Sequence, residues 1–250
     1  MTFDHLALLE SLHEKPVFQW FLGALFVSLC EIWITVTLWK KYGRRFGPYG
    51  SCFSLADLLT FIRGFFVACV AGFLLLPQHS GWLRWLPGSL YIAAIACDCA
   101  DGYFARRQQN TSEFGATLDR NFDGLTTLVG SLLAVRYSRL PMWYVSVGLA
   151  FYIFSFAAWM KQKSDGQPLT LPPSQYRRVA GGSNALFIGL ALLPLPPRPW
   201  LSWIAPVLFI AIFWGFWRDW KHTSEVSAKK SLNHKQQGIR CNHSNQWYTF

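Results

Sequence analysis

Long apolar stretches dominate the chain, and short polar segments separate them. A membrane-spanning helix needs about 20 predominantly apolar residues. Seven windows come close to that length: 17–39, 55–76, 86–99, 118–135, 142–159, 179–195 and 200–217. The third window is the shortest, but its helix can continue through residues 100–106. The pattern predicts an all-α, polytopic integral membrane protein.

Basic residues are unevenly distributed among the polar segments. Four segments are rich in them: Lys40, Lys41, Arg44 and Arg45; Arg106 and Arg107; Lys161, Lys163, Arg177 and Arg178; and Arg218 with Lys221. The intervening loops carry only Arg84, then Arg136 and Arg139, then Arg198. Because cytoplasmic loops carry an excess of Lys and Arg, we predict an outside N-terminus and an inside C-terminus. The first window has an alternative, a helix lying along the membrane surface.

Composition agrees with this picture. Of 250 residues, 52% are hydrophobic and only 14% charged, which disfavours both a disordered chain and a water-soluble globule. The net charge of +10 initially allows a nucleic-acid partner. However, most basic residues fall on the predicted cytoplasmic side, where topology and anionic lipid explain them, so we expect no nucleic acid. The six cysteines form no CxxC pair, and neither a zinc site nor a disulfide framework is indicated.

Four of the 13 acidic residues lie close together in the sequence, at the inner ends of two predicted spans. Asp98 and Asp101 are three residues apart on one predicted helix, and Asp119 and Asp123 are four apart on the next. Each pair therefore shares a helical face. The short connection makes the two helices antiparallel neighbours, so both pairs can converge at the cytoplasmic membrane surface. Ionised carboxylates near hydrocarbon are costly and mark function or a paired network.

Oxygen-only ligands favour a hard cation such as Mg²⁺, Mn²⁺ or Ca²⁺. Zinc fits poorly, because His79 belongs to an outer loop and the other histidines are terminal. The alternative is structural: Arg106, Arg107 and Arg120 would neutralise the acids in a salt-bridge network.

The acids belong to a longer pattern. It reads Asp98-Cys-Ala-Asp101-Gly102-Tyr-Phe-Ala105-Arg106, then eight residues, then Gly115-Ala-Thr-Leu-Asp119-Arg-Asn-Phe-Asp123. This resembles the signature of the CDP-alcohol phosphatidyltransferase family, D-x-x-D-G-x-x-A-R-x8-G-x-x-x-D-x-x-x-D, at all eight defining positions. A shorter segment, Asp57-Leu-Leu-Thr60-x-x-Arg63, resembles the family's Asn/Asp-x-x-Thr-x-x-Arg stretch, which contributes to the CDP pocket.

The resemblance implies a fold and a reaction. The family core has six transmembrane helices, which maps onto a catalytic domain at 51–220. Residues 1–50 are then an extension with an extra helix and a basic loop, and 221–250 a flexible polar cytoplasmic tail. The family transfers a phosphatidyl-type group from a CDP-linked lipid, here expected to be CDP-diacylglycerol, to a hydroxyl of a small polar alcohol or alcohol phosphate. CMP is released.

The resemblance also implies partners and a location. Two Mg²⁺ or Mn²⁺ ions, a homodimer and a bacterial inner membrane are expected, with the site at the cytoplasmic face. Metal ligands would be Asp98, Asp101, Asp119 and Asp123, and Asp123 would also be the general base that takes the acceptor hydroxyl's proton. Contacts to the CDP-lipid would come from Asp57, Thr60, Gly102, Ala105, Arg106, Ser112 and Gly115.

The acceptor site is less sharply indicated. In relatives that use a phosphorylated alcohol, basic residues on later helices bind its phosphate. The candidates here are Lys161, Arg177, Arg178 and Arg218, all of which also fit a topological role. Relatives that make phosphatidylglycerophosphate often carry a Gly-Lys-x-Lys-Thr segment. This chain has Tyr176-Arg177-Arg178-Val-Ala-Gly181 instead, which weakens assignment to that branch.

Two other classes of membrane protein are alternatives. An intramembrane prenyltransferase also uses Asp clusters and Mg²⁺, but it would need a second Asp-rich cluster, which this sequence lacks. A transporter, or a non-catalytic membrane protein, is the second alternative. Transporters often have two repeated halves with polar sites at the membrane midplane. No such repeat is visible, and the acids here lie at the predicted interface.

Overall fold

The computed structural model describes residues 16–42, 55–77, 81–108, 113–165, 175–218 and 220–221. Seven α-helices lie within these ranges: α1 Pro16–Tyr42, α2 Leu55–Gly72, α3 Leu86–Gln108, α4 Glu113–Arg136, α5 Val145–Asp165, α6 Gln175–Leu192 and α7 Arg198–Arg218. Short 3-10 helices occur at Phe73–Leu75, Gly81–Trp85 and Met142–Tyr144. The described part contains no strand, which confirms the all-α prediction. Of the predicted tail, only Lys221 falls within the described residues.

Several helices have the length and apolarity of membrane spans. Within the described ranges, Pro16–Lys41, Leu58–Leu75 and Arg198–Arg218 are long and apolar enough to cross a bilayer. Met142–Ala157 and Arg178–Leu192 are shorter apolar helices. Large apolar side chains on the outer faces of α1 and α7 are exposed, including Phe26, Trp33, Trp203 and Val207. Such exposed apolar faces suit lipid rather than water. The chain is an integral membrane protein.

Helix α2 lies at the centre of the arrangement and packs against α1, α3 and α4. Its contact with α1 is close and antiparallel. A Cβ atom added at Gly23 would lie 2.9 Å from the carbonyl oxygen of Ala71, and one added at Gly72 would lie 2.6 Å from the Trp20 ring. Small residues of this kind let two backbones approach each other in a membrane. The added N-terminal helix is therefore packed against the bundle.

Helices α3 and α4 run antiparallel and converge at their polar ends, as the short connection predicted, although their backbones are not in close contact. Each packs more extensively against α2 than against the other. Tyr91 of α3 fills the space beside Gly130 of α4, where an added Cβ would lie 2.4 Å from the tyrosine ring. At their polar ends, the side chain of Arg63 from α2 lies between the two helices. Bulky side chains and an inserted arginine therefore separate the two backbones.

The opposite end of the bundle is closed by Arg139. Its side chain is buried, and it donates hydrogen bonds to the carbonyl oxygens of Ala191 (2.9 Å), Leu193 (3.0 Å) and Pro196 (2.7 Å). The Ala191 carbonyl belongs to the last turn of α6 and the other two follow its end, where helices leave such groups unpaired. Burial, reinforced by the nearby charges of Arg84 and Arg198, lowers the pKa of Arg139 from its usual value. The sequence indicated only a loop poor in basic residues here, whereas the structure assigns Arg139 a capping role.

A buried hydrogen bond joins α6 to the 3-10 helix that precedes α5. The hydroxyl of Tyr144 donates to the amide oxygen of Asn184 at 2.6 Å, and both residues lie in the core. Polar pairs of this type fix the register of neighbouring helices in an apolar environment. Together with Arg139, this pair orients α6 so that its N-terminal end lies at the carboxylate end of the bundle.

Candidate active site

Three of the four predicted metal ligands meet in the structure. Asp98 of α3 joins Asp119 and Asp123, which lie one turn apart on α4. One carboxylate oxygen from each residue lies within 4.8 Å of the others. The side chains are partly exposed, by 40%, 40% and 54% respectively. The cluster is therefore held by two helices and remains open to a ligand.

Arg63 of α2 lies at the centre of this cluster. Its Nη1 atom donates to Asp98 and, at 3.0 Å, to Asp123. Its Nη2 atom donates to the carboxylate of Asp119 at 2.8 Å and to that residue's backbone carbonyl at 3.2 Å. The guanidinium is 1% exposed and lies 5.9 Å from the centre of the Phe122 ring. One buried cation thus aligns three carboxylates from two helices.

Sequence reasoning missed this role. It noted Arg63 only as the end of a short segment, and it named Arg106, Arg107 and Arg120 as the cations that would neutralise the acids. In the structure Arg120 is exposed and contacts Thr117. The side chains of Arg106 and Arg107 lie outside the described residues. The available signal was the presence of an arginine inside the second apolar window, because a charge at that position requires a buried partner.

The donor set fits a divalent cation. It consists of carboxylate oxygens only, which is the chemistry that Mg²⁺ and Mn²⁺ select. The single charge of Arg63 leaves the three aspartates with an excess of negative charge, and their exposure leaves room for water or phosphate oxygens to complete a coordination sphere. The residues present therefore suit the metal ions that the sequence predicted.

Comparison with known proteins identifies the family. Residues 53–217 match the family model for CDP-alcohol phosphatidyltransferase. The chain belongs to the CDP-alcohol phosphatidyltransferase family. All three clustered aspartates and Arg63 fall inside the matched region.

Two curated relatives carry the same description, CDP-diacylglycerol–glycerol-3-phosphate 3-phosphatidyltransferase. The protein from Cereibacter sphaeroides is 32% identical over 92 residues, which is 37% of this chain and 41% of the relative. The protein from Pseudomonas fluorescens is 29% identical over 147 residues, which is 56% of this chain and 74% of the relative. The match to the first of these proteins thus spans less than half of its length. No solved structure matches the chain significantly.

The remaining motif positions surround the cluster or lie outside the described side chains. Thr60 is buried one turn before Arg63 on α2. Gly102 follows Asp98 by one turn on α3, and Gly115 precedes Asp119 by one turn on α4. Helical backbone is described at Asp57, Asp101, Ala105 and Arg106, but their side chains are outside the described part, and Ser112 is outside it entirely.

The four acceptor candidates lie on the last three helices of this family member. Arg218 is at the end of α7, and its guanidinium carbon is 5.1 Å from the centre of the Tyr176 ring on α6. The Tyr176 hydroxyl donates to the carbonyl oxygen of Ala211 at 2.8 Å, which ties the two helices together. Arg178 is exposed near the start of α6, whereas the side chains of Lys161 and Arg177 lie outside the described residues.

Proposed function

We propose that the chain transfers a phosphatidyl group from CDP-diacylglycerol to the hydroxyl of a small alcohol phosphate, with release of CMP. The cluster of Asp98, Asp119 and Asp123 around Arg63 carries this proposal. Family membership and the description shared by the two relatives support it. Because of the description of those relatives, glycerol 3-phosphate is the first acceptor to test, although this chain lacks the Gly-Lys-x-Lys-Thr segment.

The proposed chemistry begins at Asp123. Its carboxylate is the most exposed of the three, so it can reach an acceptor hydroxyl and take its proton as the oxygen attacks phosphorus. A new bond forms between that oxygen and the lipid-bearing phosphorus, and the bond from this phosphorus to the CMP oxygen breaks. The electron pair leaves with CMP, and the proton passes from Asp123 to solvent.

Divalent cations, when bound, would neutralise the pyrophosphate and stabilise the departing CMP phosphate. Asp98, Asp101, Asp119 and Asp123 are the residues that would hold them. The role of this chain's own side chains is to fix that set. Arg63 aligns three of the carboxylates, because its planar guanidinium offers several hydrogen-bond donors in a fixed geometry.

The substrates would surround this cluster. We assign contacts with the CDP-lipid to Asp57, Thr60, Gly102, Ala105, Arg106, Ser112 and Gly115, which all belong to the two motif segments. We assign the acceptor phosphate to basic residues on α5, α6 and α7, namely Lys161, Arg177, Arg178 and Arg218. The 51–220 core, the homodimer and a cytoplasmic site in a bacterial inner membrane belong to the same proposal.

The test is a CMP-release assay on the full chain, purified in detergent and supplied with CDP-diacylglycerol and Mg²⁺ or Mn²⁺. Glycerol 3-phosphate, serine, inositol, inositol phosphate and choline form the acceptor panel. We expect acceptor-dependent CMP release with a phosphorylated alcohol and none after EDTA treatment. Folded protein that releases CMP with none of these acceptors would contradict the proposal.

A further inference from the structure

The extra N-terminal helix places one acidic side chain beside the site. Glu31 is the sole acid in α1, and the residue is only 9% exposed. A Cβ atom added at Gly64, the residue after Arg63, would lie 3.0 Å from Glu31 Oε2 and 2.6 Å from Cε1 of Phe122. The carboxylate of Glu31 therefore lies where α1, α2 and α4 meet.

Glu31 and Arg63 each have an unsatisfied buried atom. Neither Oε1 of Glu31 nor Nε of Arg63 has a hydrogen-bond partner in the described part of the protein. Burial opposes ionisation of Glu31, and the nearby charge of Arg63 partly offsets this cost. A buried carboxylate oxygen without a hydrogen bond is costly, and one that occurs in a native structure calls for an explanation. Packing of α1 against the bundle does not explain an acid at this position, because an apolar residue is enough for packing. Val27, one turn earlier on the same face, is such a buried apolar residue.

We propose that Glu31 is a positioning residue that acts through Arg63, balancing the charge of this guanidinium when divalent cations bind the aspartate cluster. This inference rests on the proposed function, which supplies the cations. It gives the N-terminal helix, which lies outside the matched family region, a role in the site.

The physical reason is the burial of Arg63. In the structure its charge is balanced by Asp98, Asp119 and Asp123. Cations that bind these carboxylates compete with Arg63 for them and repel it, and a guanidinium that is 1% exposed cannot turn to water for compensation. When Glu31 is ionised, a state that the nearby guanidinium favours, its negative charge lowers this repulsion. Glu31 therefore favours cation binding without touching the cations.

The experiment measures Mn²⁺ binding directly, by electron paramagnetic resonance titration of the full chain in detergent without substrates. Glu31→Gln removes the charge and keeps the shape of the side chain. We expect its dissociation constant for Mn²⁺ to rise about tenfold, since one unit charge near a partly exposed site has an effect of that order. Glu31→Asp keeps the charge, and we expect a value within about threefold of wild type.

Two further variants guard against a purely structural explanation. Val27→Ala loosens the packing of the same face of α1 one turn away from Glu31 and changes no charge. Mn²⁺ affinity should therefore stay within about twofold of wild type. Glu31→Met replaces the acid by an apolar side chain of similar length, which a membrane helix accommodates. It should weaken Mn²⁺ binding as Glu31→Gln does, and it supplies the measurement if the glutamine variant is not recovered folded.

The outcomes separate this inference from the proposed function. If wild-type protein binds no Mn²⁺, the proposed metal-dependent function fails. If wild type binds Mn²⁺ and the neutral Glu31 variants bind it equally well, the role of Glu31 is refuted. If Val27→Ala weakens Mn²⁺ binding as much as the neutral Glu31 variants do, helix packing explains the effect and the role of Glu31 is also refuted. In an Arg63→Gln background, the effect of Glu31→Gln should shrink to about twofold or less, since the residue through which it acts is gone.

Discussion

Arg63 and Asp123 lie 60 residues apart in the chain, yet Nη1 of the arginine is 3.0 Å from Oδ1 of the aspartate. The arginine is buried and the carboxylate is half exposed. One side of Asp123 is therefore fixed by the protein interior, and the other side is available to a substrate. This relationship connects the shorter motif segment on α2 to the last aspartate of the longer motif on α4.

Asp123→Asn should abolish turnover while the fold is retained. The asparagine oxygen can still accept from Arg63, but the amide cannot take a proton from the acceptor hydroxyl. Removing a general base typically costs about 10²–10⁴-fold in rate. CMP release measures the loss, and size-exclusion elution with a thermal unfolding curve checks the fold. A variant that turns over at the wild-type rate would remove Asp123 from the role of base.

Asp119→Asn provides the matched comparison, because Asp119 belongs to the same cluster but has no proposed role in proton transfer. Its loss should raise the Mn²⁺ concentration needed for half-maximal activity, and excess Mn²⁺ should restore part of the rate. Asp123→Asn should stay inactive at every Mn²⁺ concentration. If excess Mn²⁺ rescues both variants equally, Asp123 acts only as a ligand.

Arg63→Gln should destabilise the protein mainly when divalent cations are absent. It leaves three clustered carboxylates without their cation. We expect a loss of about 2 kcal/mol in the free energy of unfolding, less than for a fully buried ion pair, because the carboxylates are 40–54% exposed. Thermal unfolding in EDTA and in Mn²⁺ measures this, and Mn²⁺ should raise the unfolding temperature more in the variant than in wild type. An equal increase in both proteins would contradict the role of Arg63 as counter-ion.

The sequence predicted the cluster of aspartates better than it predicted their surroundings. Helical spacing alone indicated that Asp119 and Asp123 share a face, and the structure joins both to Asp98. The sequence linked Arg63 to the CDP pocket but not to the aspartates, and it linked Glu31 to neither, since these proximities depend on how α1, α2 and α4 pack. That packing is decided by small residues such as Gly64, whose neighbours cannot be read from local pattern.

The extent of α3 was predicted in part from the sequence. The third apolar window ends at residue 99, and the continuation of its helix through residues 100–106 is confirmed, since α3 extends to Gln108 through the polar motif. Apolar character therefore marks the part of a helix in lipid, whereas the helix itself extends into the polar region where the chemistry is proposed. Helices α3 and α4 converge at the aspartates as the short connection predicted, but Tyr91 and the inserted Arg63 occupy the space between their backbones, which local pattern does not show.

Tyr144→Phe should destabilise the bundle without changing the chemistry. It removes the buried hydroxyl and leaves the amide oxygen of Asn184 unpaired, which costs about 1–2 kcal/mol. Removing both polar groups, in Tyr144→Phe with Asn184→Leu, should restore most of that loss because no unpaired group remains. Unfolding temperatures of the two variants measure the difference. A double variant less stable than Tyr144→Phe would show that the two side chains stabilise the fold by more than satisfying each other's hydrogen-bonding groups.

Arg218→Gln should raise the KM for a phosphorylated acceptor about tenfold, because one charge-assisted contact with phosphate is lost, while kcat changes little. Lys221→Gln is the matched control: Lys221 lies 5.8 Å from the ring centre of Trp217, so it makes the same type of contact at the same end of the bundle. Its KM for the acceptor should stay within about twofold of wild type. Steady-state CMP release at varied acceptor concentration measures both constants. Equal increases in KM for the two variants would assign the effect to general surface charge, and an unchanged KM in Arg218→Gln would exclude Arg218 from the acceptor site.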